Sequence, residues 1–223
     1  MRQKIARLLF GGSCFLCRGG SRDLLCSACE AELPRLSQPL CPRCALESPG
    51  GALCGRCLSH PPAYDATHAA LAYQFPADAL IQALKFRGEL ALAPVLAALL
   101  AEKLRAERVD CVVAVPLAPE RLRRRGYNQA LEIARHLRRE GLALTLCERT
   151  RDAPPQMELP YDARQRNVRG AFRCTRALIG AAVAVVDDVM TTGATLEEMA
   201  RTLKSAGAGR VVNWVVARTL PHD

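Results

Sequence analysis

Four knuckles of the same form fall before residue 58: Cys14-x-x-Cys17, Cys26-x-x-Cys29, Cys41-x-x-Cys44 and Cys54-x-x-Cys57. Two cysteines separated by two residues can turn both sulfurs to one side of a tight turn. Two such turns then supply the four thiolates of a tetrahedral zinc site. Pro42 and Arg43 fill one knuckle and Gly55 and Arg56 another, which suits a turn at both places. Eight thiolates therefore predict two zinc ions. Pairing in chain order puts Cys14, Cys17, Cys26 and Cys29 on one and Cys41, Cys44, Cys54 and Cys57 on the other. An interleaved pairing of first with third and second with fourth knuckles meets the same spacing, and the sequence does not choose between them.

The alternatives to zinc are disulfides and an iron–sulfur cluster. Basic Arg2, Lys4 and Arg7 imitate the start of a secretory signal, but only Leu8-Leu9-Phe10 follow before Gly11-Gly12. That is short of the roughly 7–15 apolar residues such a signal requires. The run from Leu90 to Ala101 contains Pro94 and falls short of the about 20 residues that span a bilayer. The expectation is a cytoplasmic protein without membrane insertion, where thiols stay reduced and ligate metal. Iron–sulfur clusters usually take a more compressed or differently spaced set. Four thiolates close the coordination sphere, so these zinc sites are structural. The segment carries little apolar mass, and metal would supply on the order of 10 kcal/mol of its folding free energy.

After the knuckles the texture changes. Of 11 cysteines in 223 residues, only Cys111, Cys147 and Cys174 follow. His60-Pro61-Pro62 reads as a linker, dividing a double zinc ribbon over 1–60 from a larger domain over 61–223. In the larger domain the pattern predicts strands over Ala69–Phe75, Cys111–Val115, Ala143–Cys147, Ala181–Val186 and Val211–Ala217. It predicts helices over Ala77–Phe86, Leu92–Ala106, Asn128–Arg139 and Thr195–Ser205. Such alternation argues for an α/β fold with a mostly parallel, Rossmann-like sheet. Its ligand is expected beyond the carboxyl ends of the strands.

The segment Val185-Val186-Asp187-Asp188-Val189-Met190-Thr191-Thr192-Gly193-Ala194-Thr195 carries the chemistry. An apolar strand leads into two carboxylates, then into a hydroxylic loop that opens a helix. A helix N-terminus favours an anion, threonine hydroxyls add donors, and Gly193 admits close backbone approach. The carboxylates can accept hydrogen bonds from the hydroxyls of a sugar attached to that phosphate. A Walker loop fits less well, because no lysine follows the glycine. A capped helix after an ordinary strand accounts for one threonine but not for two acids, three threonines and a glycine together.

Asp187-Asp188 followed by Thr191-Thr192-Gly193-Ala194-Thr195 resembles the signature by which type I phosphoribosyltransferases bind phosphoribosyl pyrophosphate (PRPP). More narrowly, nearly the whole chain resembles the ComF family, associated with DNA uptake in natural competence. The knuckles are similar to that family's double zinc ribbon. Leu84-Lys85-Phe86-Arg87-Gly88 and Arg125-Gly126-Tyr127-Asn128-Gln129-Ala130 match two of its motifs. Arg149, Gln156, Arg164, Asn167, Gly170, Ala171 and Phe172 follow its spacing. The resemblance implies a type I phosphoribosyltransferase-like fold, PRPP as ligand and magnesium bound with it. It implies that Asp187 and Asp188 hold the ribose hydroxyls and that residues 191–195 hold the phosphate. Val115-Pro116-Leu117 and the arginines from Arg121 to Arg125 would face the pyrophosphate, with Lys85, Arg125 and Arg164 reaching the same pocket.

Two functions follow. One is a magnesium-dependent enzyme transferring phosphoribose to an acceptor or to water. The other is a non-catalytic PRPP-responsive module contacting single-stranded DNA or a helicase-like partner. The net charge of +9 suits either, since phosphate is common to both ligands. An aromatic content of 4% argues against base-stacking platforms. The arginines crowd into 121–139 and 149–176, around the expected PRPP pocket, which assigns much of the excess charge to that ligand.

Overall fold

The computed structural model describes residues 12–36, 39–137, 146–150 and 168–221. Strands β1 (Gly12–Ser13) and β2 (Gly20–Ser21) pair antiparallel in the first knuckle pair, followed by the short helix α1 (Ser27–Ala31). A second short helix, α2 (Gly55–Ser59), carries the last knuckle. The larger domain runs β3 (Ala66–Ala72), α3 (Ala77–Phe86), α4 (Leu92–Lys103), β4 (Cys111–Ala114), α5 (Pro119–Arg125) and α6 (Gln129–His136). It continues with β5 (Cys147–Arg149), β6 (Phe172–Cys174), β7 (Ala182–Met190), α7 (Ala194–Ser205) and β8 (Arg210–Arg218). The main sheet is parallel throughout, in the order β3-β8-β7-β4. Strands β5 and β6 form a separate antiparallel pair.

Alternation along the central strands divides the core. Val112, Ala184, Val186, Val212 and Trp214 face α3, α4 and α6, together with Leu25 and Leu33 of the first knuckle pair. Val113, Val183, Val185, Val211 and Val215 face α7, the β5–β6 pair and the second knuckle pair. Each central strand is thus covered on both faces, which explains its nearly continuous apolar run. No helix among the described residues is long and apolar enough to cross a membrane.

Several boundaries depart from the sequence expectation for identifiable reasons. Strand β3 starts at Ala66 rather than Ala69, because the polar Thr67 is also paired. Thr67 is buried, and its hydroxyl accepts from Asn213 Nδ2 at 3.1 Å. Strand β7 continues four residues past Val186, through both acids, because its pairing with β8 continues to Met190↔Arg218. The third helix of the sequence reading begins at Gln129, with Asn128 as its cap, and its expected end at Arg138 and Arg139 lies outside the described residues. The strand expected over Ala143–Cys147 appears as Cys147–Arg149, with 143–145 outside the described residues.

The zinc segment does more than precede the sheet. Strand β3 is an edge, and an edge presents unpaired N–H and C=O groups. Pro34, Leu36 and Pro42 lie along it: Ala72 donates to the Pro34 carbonyl at 2.7 Å, Thr67 to Pro42 at 3.0 Å, and Leu36 donates to Ala70 at 3.2 Å. This stretch joins the second knuckle to the third, so the two metal centres hold both of its ends. Stripping zinc should therefore speed amide hydrogen exchange at Thr67 and Ala72 while Val185 and Val186 stay protected. Unchanged exchange at Thr67 and Ala72 would show that the edge is held without metal.

Candidate functional site

The four sulfurs of Cys14, Cys17, Cys26 and Cys29 lie within 4.8 Å of one another, as do those of Cys41, Cys44, Cys54 and Cys57. Pairing in chain order is the observed arrangement, and the interleaved one is excluded. A zinc–sulfur bond of about 2.3 Å sets tetrahedral sulfur–sulfur edges of about 3.8 Å. The Cys17–Cys26 and Cys44–Cys54 separations are 3.8 and 3.6 Å, far beyond a disulfide bond. The N–H groups of Cys26 and Cys54 donate to the sulfurs of Cys14 and Cys41 at 3.4 Å each. Burial opposes ionisation of both thiols, yet backbone donors hold Cys14 down to about 6 and Cys41 to about 7. The donor sets fit two zinc-binding sites of four cysteines each.

A second site lies at the carboxyl ends of β4 and β7, in a cavity of about 310 Å³. It brings together Lys85, Pro116, Leu117, Arg121, Arg125, Asp187, Asp188 and Thr191 through Thr195, all expected there from the sequence. Arg124 and Arg149 also line it. Arg123 is not among its lining residues, and Gln156, Arg164, Arg166 and Asn167 lie outside the described residues.

The loop expected from the sequence to bind an anion sits where the strand ends and helix α7 begins. Gly193 is the helix N-cap, with φ of 84°, and it supplies no side-chain acceptor to the first turn. A side chain there would be strained, and its Cβ would stand 2.8 Å from Met190 Cε and 3.3 Å from the Tyr64 hydroxyl. Thr192 Oγ accepts from the Ala194 N–H at 3.3 Å, which folds the loop back on the helix start.

The acid pair belongs to the strand rather than to the loop, and its two members differ. Asp188 is 3% exposed and pairs with Lys85 Nζ at 3.2 Å. Burial opposes its ionisation. The Lys85 charge and hydrogen bonds from Asp187, Lys85 and Gln129 overcome this and hold its carboxyl below the usual range. Burial and the Asp188 charge push Asp187 well above that range. The Asp188 charge in turn pushes Lys85 up. One proton thus stays preferentially with Asp187, because two charges at this spacing in a dry site repel.

The hexad Arg125 to Ala130 assembles this constellation. Gly126, with φ of 81°, ends α5 in the left-handed conformation. The Tyr127 hydroxyl donates to the Leu84 carbonyl, beside Lys85. Asn128 Oδ1 accepts from the Ala130 and Leu131 N–H groups, while its Nδ2 donates to the Val115 carbonyl at 2.9 Å. One side chain therefore caps α6 and fixes the loop after β4. Gln129, 4% exposed, accepts from Arg125 Nη1 and helps to keep the Asp188 carboxyl ionised. The sequence reading placed Asn128 and Gln129 at a helix start, but missed that Gln129 serves both a cation and an acid. It also missed Arg218, which donates to the Met190 and Thr191 carbonyls of the loop.

Comparison with known proteins agrees with this layout. The family described as a phosphoribosyl transferase domain matches residues 92–219, and the one described as a double zinc ribbon domain matches residues 5–58. The chain is 36% identical to DNA utilization protein YhgH of Escherichia coli strain K12, over 94% of this chain and 98% of that protein. It is 32% identical to Competence protein F of Haemophilus influenzae, again over 94% and 98%. It is 27% identical to Competence protein ComFC of Streptococcus pneumoniae, over 87% of each.

Unequal protonation of the acids makes their substitutions unequal. Asp187→Asn replaces a carboxyl already favoured in its neutral form, so unfolding in urea should shift by less than about 1 kcal/mol. Asp188→Asn strands Lys85 and should cost about 3 kcal/mol. Equal costs for the two would contradict the assignment.

Proposed function

Since the chain belongs to the phosphoribosyl transferase domain family and carries a double zinc ribbon domain ahead of it, we propose that it binds PRPP with magnesium at the ends of β4 and β7 and serves DNA uptake. One observation carries the reading: an anion-binding loop, a buried acid pair and clustered guanidiniums share one cavity of about 310 Å³. Residues 191–195 hold the ribose phosphate through backbone donors and threonine hydroxyls. Asp187 and Asp188 accept from the ribose hydroxyls. Arg121, Arg124 and Arg125, behind the Val115-Pro116-Leu117 loop, face the pyrophosphate, where planar guanidiniums match its oxygens. Lys85 neutralises Asp188 in the ligand-free site. Arg164 belongs to the same set by its place in the sequence motif.

Bound magnesium would screen the pyrophosphate charge, mostly through water and substrate oxygens. The chain's own contribution is to position the ribose and stabilise a departing anion. In the transfer, an acceptor or a water forms a bond to the anomeric carbon and gives up its proton to solvent, while the bond to pyrophosphate breaks and the pyrophosphate leaves with its electron pair.

The role in DNA uptake follows the names of the relatives, which speak of DNA utilization and competence. Under this reading residues 1–60 act as the zinc unit and 61–223 as the PRPP unit. Single-stranded DNA or a helicase-like protein is the partner. The cytoplasm, which keeps the thiols reduced, is the setting.

Titration calorimetry with magnesium and PRPP should show binding to the intact protein. Asp187→Asn combined with Asp188→Asn should abolish it while zinc stays at two ions per chain. Retained binding in the folded double variant would remove the acid pair from the site. Pyrophosphate is then followed with and without nucleobases. Its release identifies the enzyme, whereas tight binding without release under any condition leaves the non-catalytic module. DNA affinity of that module should fall steeply with salt.

A further inference from the structure

The side chain of Arg218, the last residue of β8, is a charge in the core. The residue is 3% exposed, and among the described residues its guanidinium donates to backbone carbonyls alone. Nε reaches Cys44 at 2.9 Å; Nη1 reaches Met190 at 2.8 Å, Thr219 at 2.9 Å, and Thr191. Among the described residues no carboxylate forms an ion pair with it. Cys44 and Cys57 of the second knuckle pair lie close enough that thiolates there favour its charged form, while the Tyr64 phenol, pushed up by burial, stays neutral. A buried cation without a counter-ion is costly. Zinc bound by four thiolates carries a net charge of about −2 by simple valence. The second zinc centre therefore supplies the counter-charge that carboxylates do not.

Two of the carbonyls held by Arg218, those of Met190 and Thr191, lead from β7 into the phosphate loop. A peptide unit is planar and trans, so fixing a carbonyl fixes the following N–H on the opposite side. Holding the Met190 and Thr191 carbonyls thereby orients the N–H groups of Thr191 and Thr192. Arg56, inside the last knuckle, donates to the Thr192 carbonyl at 3.4 Å, which orients Gly193 in the same way. The Tyr64 hydroxyl stands behind Gly193, and Tyr64 packs in the same cluster as Cys41, Cys44 and Cys57. The first zinc centre packs on the other face of the sheet. None of its hydrogen bonds among the described residues reaches residues 190–195.

We propose that Arg218 is a positioning residue coupling the second zinc centre to the phosphate loop, so that zinc on Cys41, Cys44, Cys54 and Cys57 and PRPP on residues 191–195 tighten each other's binding. The proposal rests on the PRPP reading above. Loss of this zinc releases the Cys44 carbonyl and removes the dianion facing the guanidinium. Arg218 then loses the arrangement that holds the loop carbonyls away from the ligand. A phosphate on the far side favours the ordered loop and, through the same contacts, the closed knuckle. Linkage requires the effect to be reciprocal, and couplings of this kind are typically about 5-fold or more.

The test uses the zinc-loaded full chain. Release of both ions to a coloured chelator is timed with and without saturating magnesium and PRPP, and PRPP binding is measured separately by calorimetry. PRPP should slow one equivalent about 5-fold or more and leave the other unchanged. The unchanged equivalent controls for any action of PRPP on free zinc. Cys57→Ser should weaken PRPP about 5-fold or more, and Cys17→Ser should not. Arg218→Met should make both release rates insensitive to PRPP. If PRPP binds but neither rate responds, or both respond equally, the coupling is overturned and the PRPP reading stands. If calorimetry shows no binding to the intact protein, the PRPP reading is overturned and the coupling with it. The wild-type measurement decides the matter even where a variant fails to fold.

Discussion

Everything at the functional end of the molecule depends on the pairing of β7 with β8, which extends to Met190↔Arg218. Were β7 to end at Val186, Asp187 and Asp188 would be loop residues in water, each charged and unremarkable. Because the ladder continues, both acids are carried through the closing layer of the core. Asp188 is left at 3% exposure, where only a partner such as Lys85 keeps it ionised. The same register puts Arg218 beside the carbonyls that follow β7. A run of backbone pairs thus fixes an acid pair and the start of the loop that follows it.

The parts legible in the sequence are those whose geometry is local. Two residues between cysteines dictate a knuckle, and Thr191-Thr192-Gly193-Ala194-Thr195 after an apolar strand dictates a loop opening a helix. Apolar runs located the central strands because both faces of each are covered. The same rule failed at β7, since hydropathy ends at the first charged residue whereas backbone pairing is indifferent to the side chain. Thr67 failed for the same reason: its partner, Asn213, is 146 residues away. Arg218 lies 174 residues from Cys44 and 28 from Met190, and nothing near it in the chain suggests a role. Its one local cue is a charged residue ending an otherwise apolar strand, Val211 to Ala217, and such a residue usually marks only a strand leaving the core.

The hexad from Arg125 to Ala130 shows how a motif can be recognised before its chemistry is understood. The capping role of Asn128 is readable from its place before a helix, but a cap does not require tyrosine before it or glutamine after it. The structure supplies the reason. Tyr127 ties down the end of the helix that bears Lys85, Asn128 fixes the loop after β4, and Gln129 holds Arg125 and favours the ionised Asp188. Three consecutive side chains thus bind three separate elements to one another. Such a set is short in sequence because one turn and one cap suffice to spread it over the site.

Calling a zinc site structural says that its coordination sphere is closed, not that its charge is idle. A closed tetrathiolate centre carries about two negative charges, and Cys41, Cys44 and Cys57 are buried. Some group must answer that charge, and the group that does will be held wherever its remaining donors point. Here the guanidinium directs its remaining donors to the Met190 and Thr191 carbonyls, where β7 passes into the loop before α7. Arg218 therefore stands between the second knuckle pair and the loop after β7, and its rigidity, more than its charge, connects them. Lysine has the same charge but lacks the planar set of donors that reaches Cys44, Met190 and Thr191 at once. This geometry gives a physical reason for arginine at the end of β8, and for the zinc ribbon lying against the sheet rather than hanging free of it.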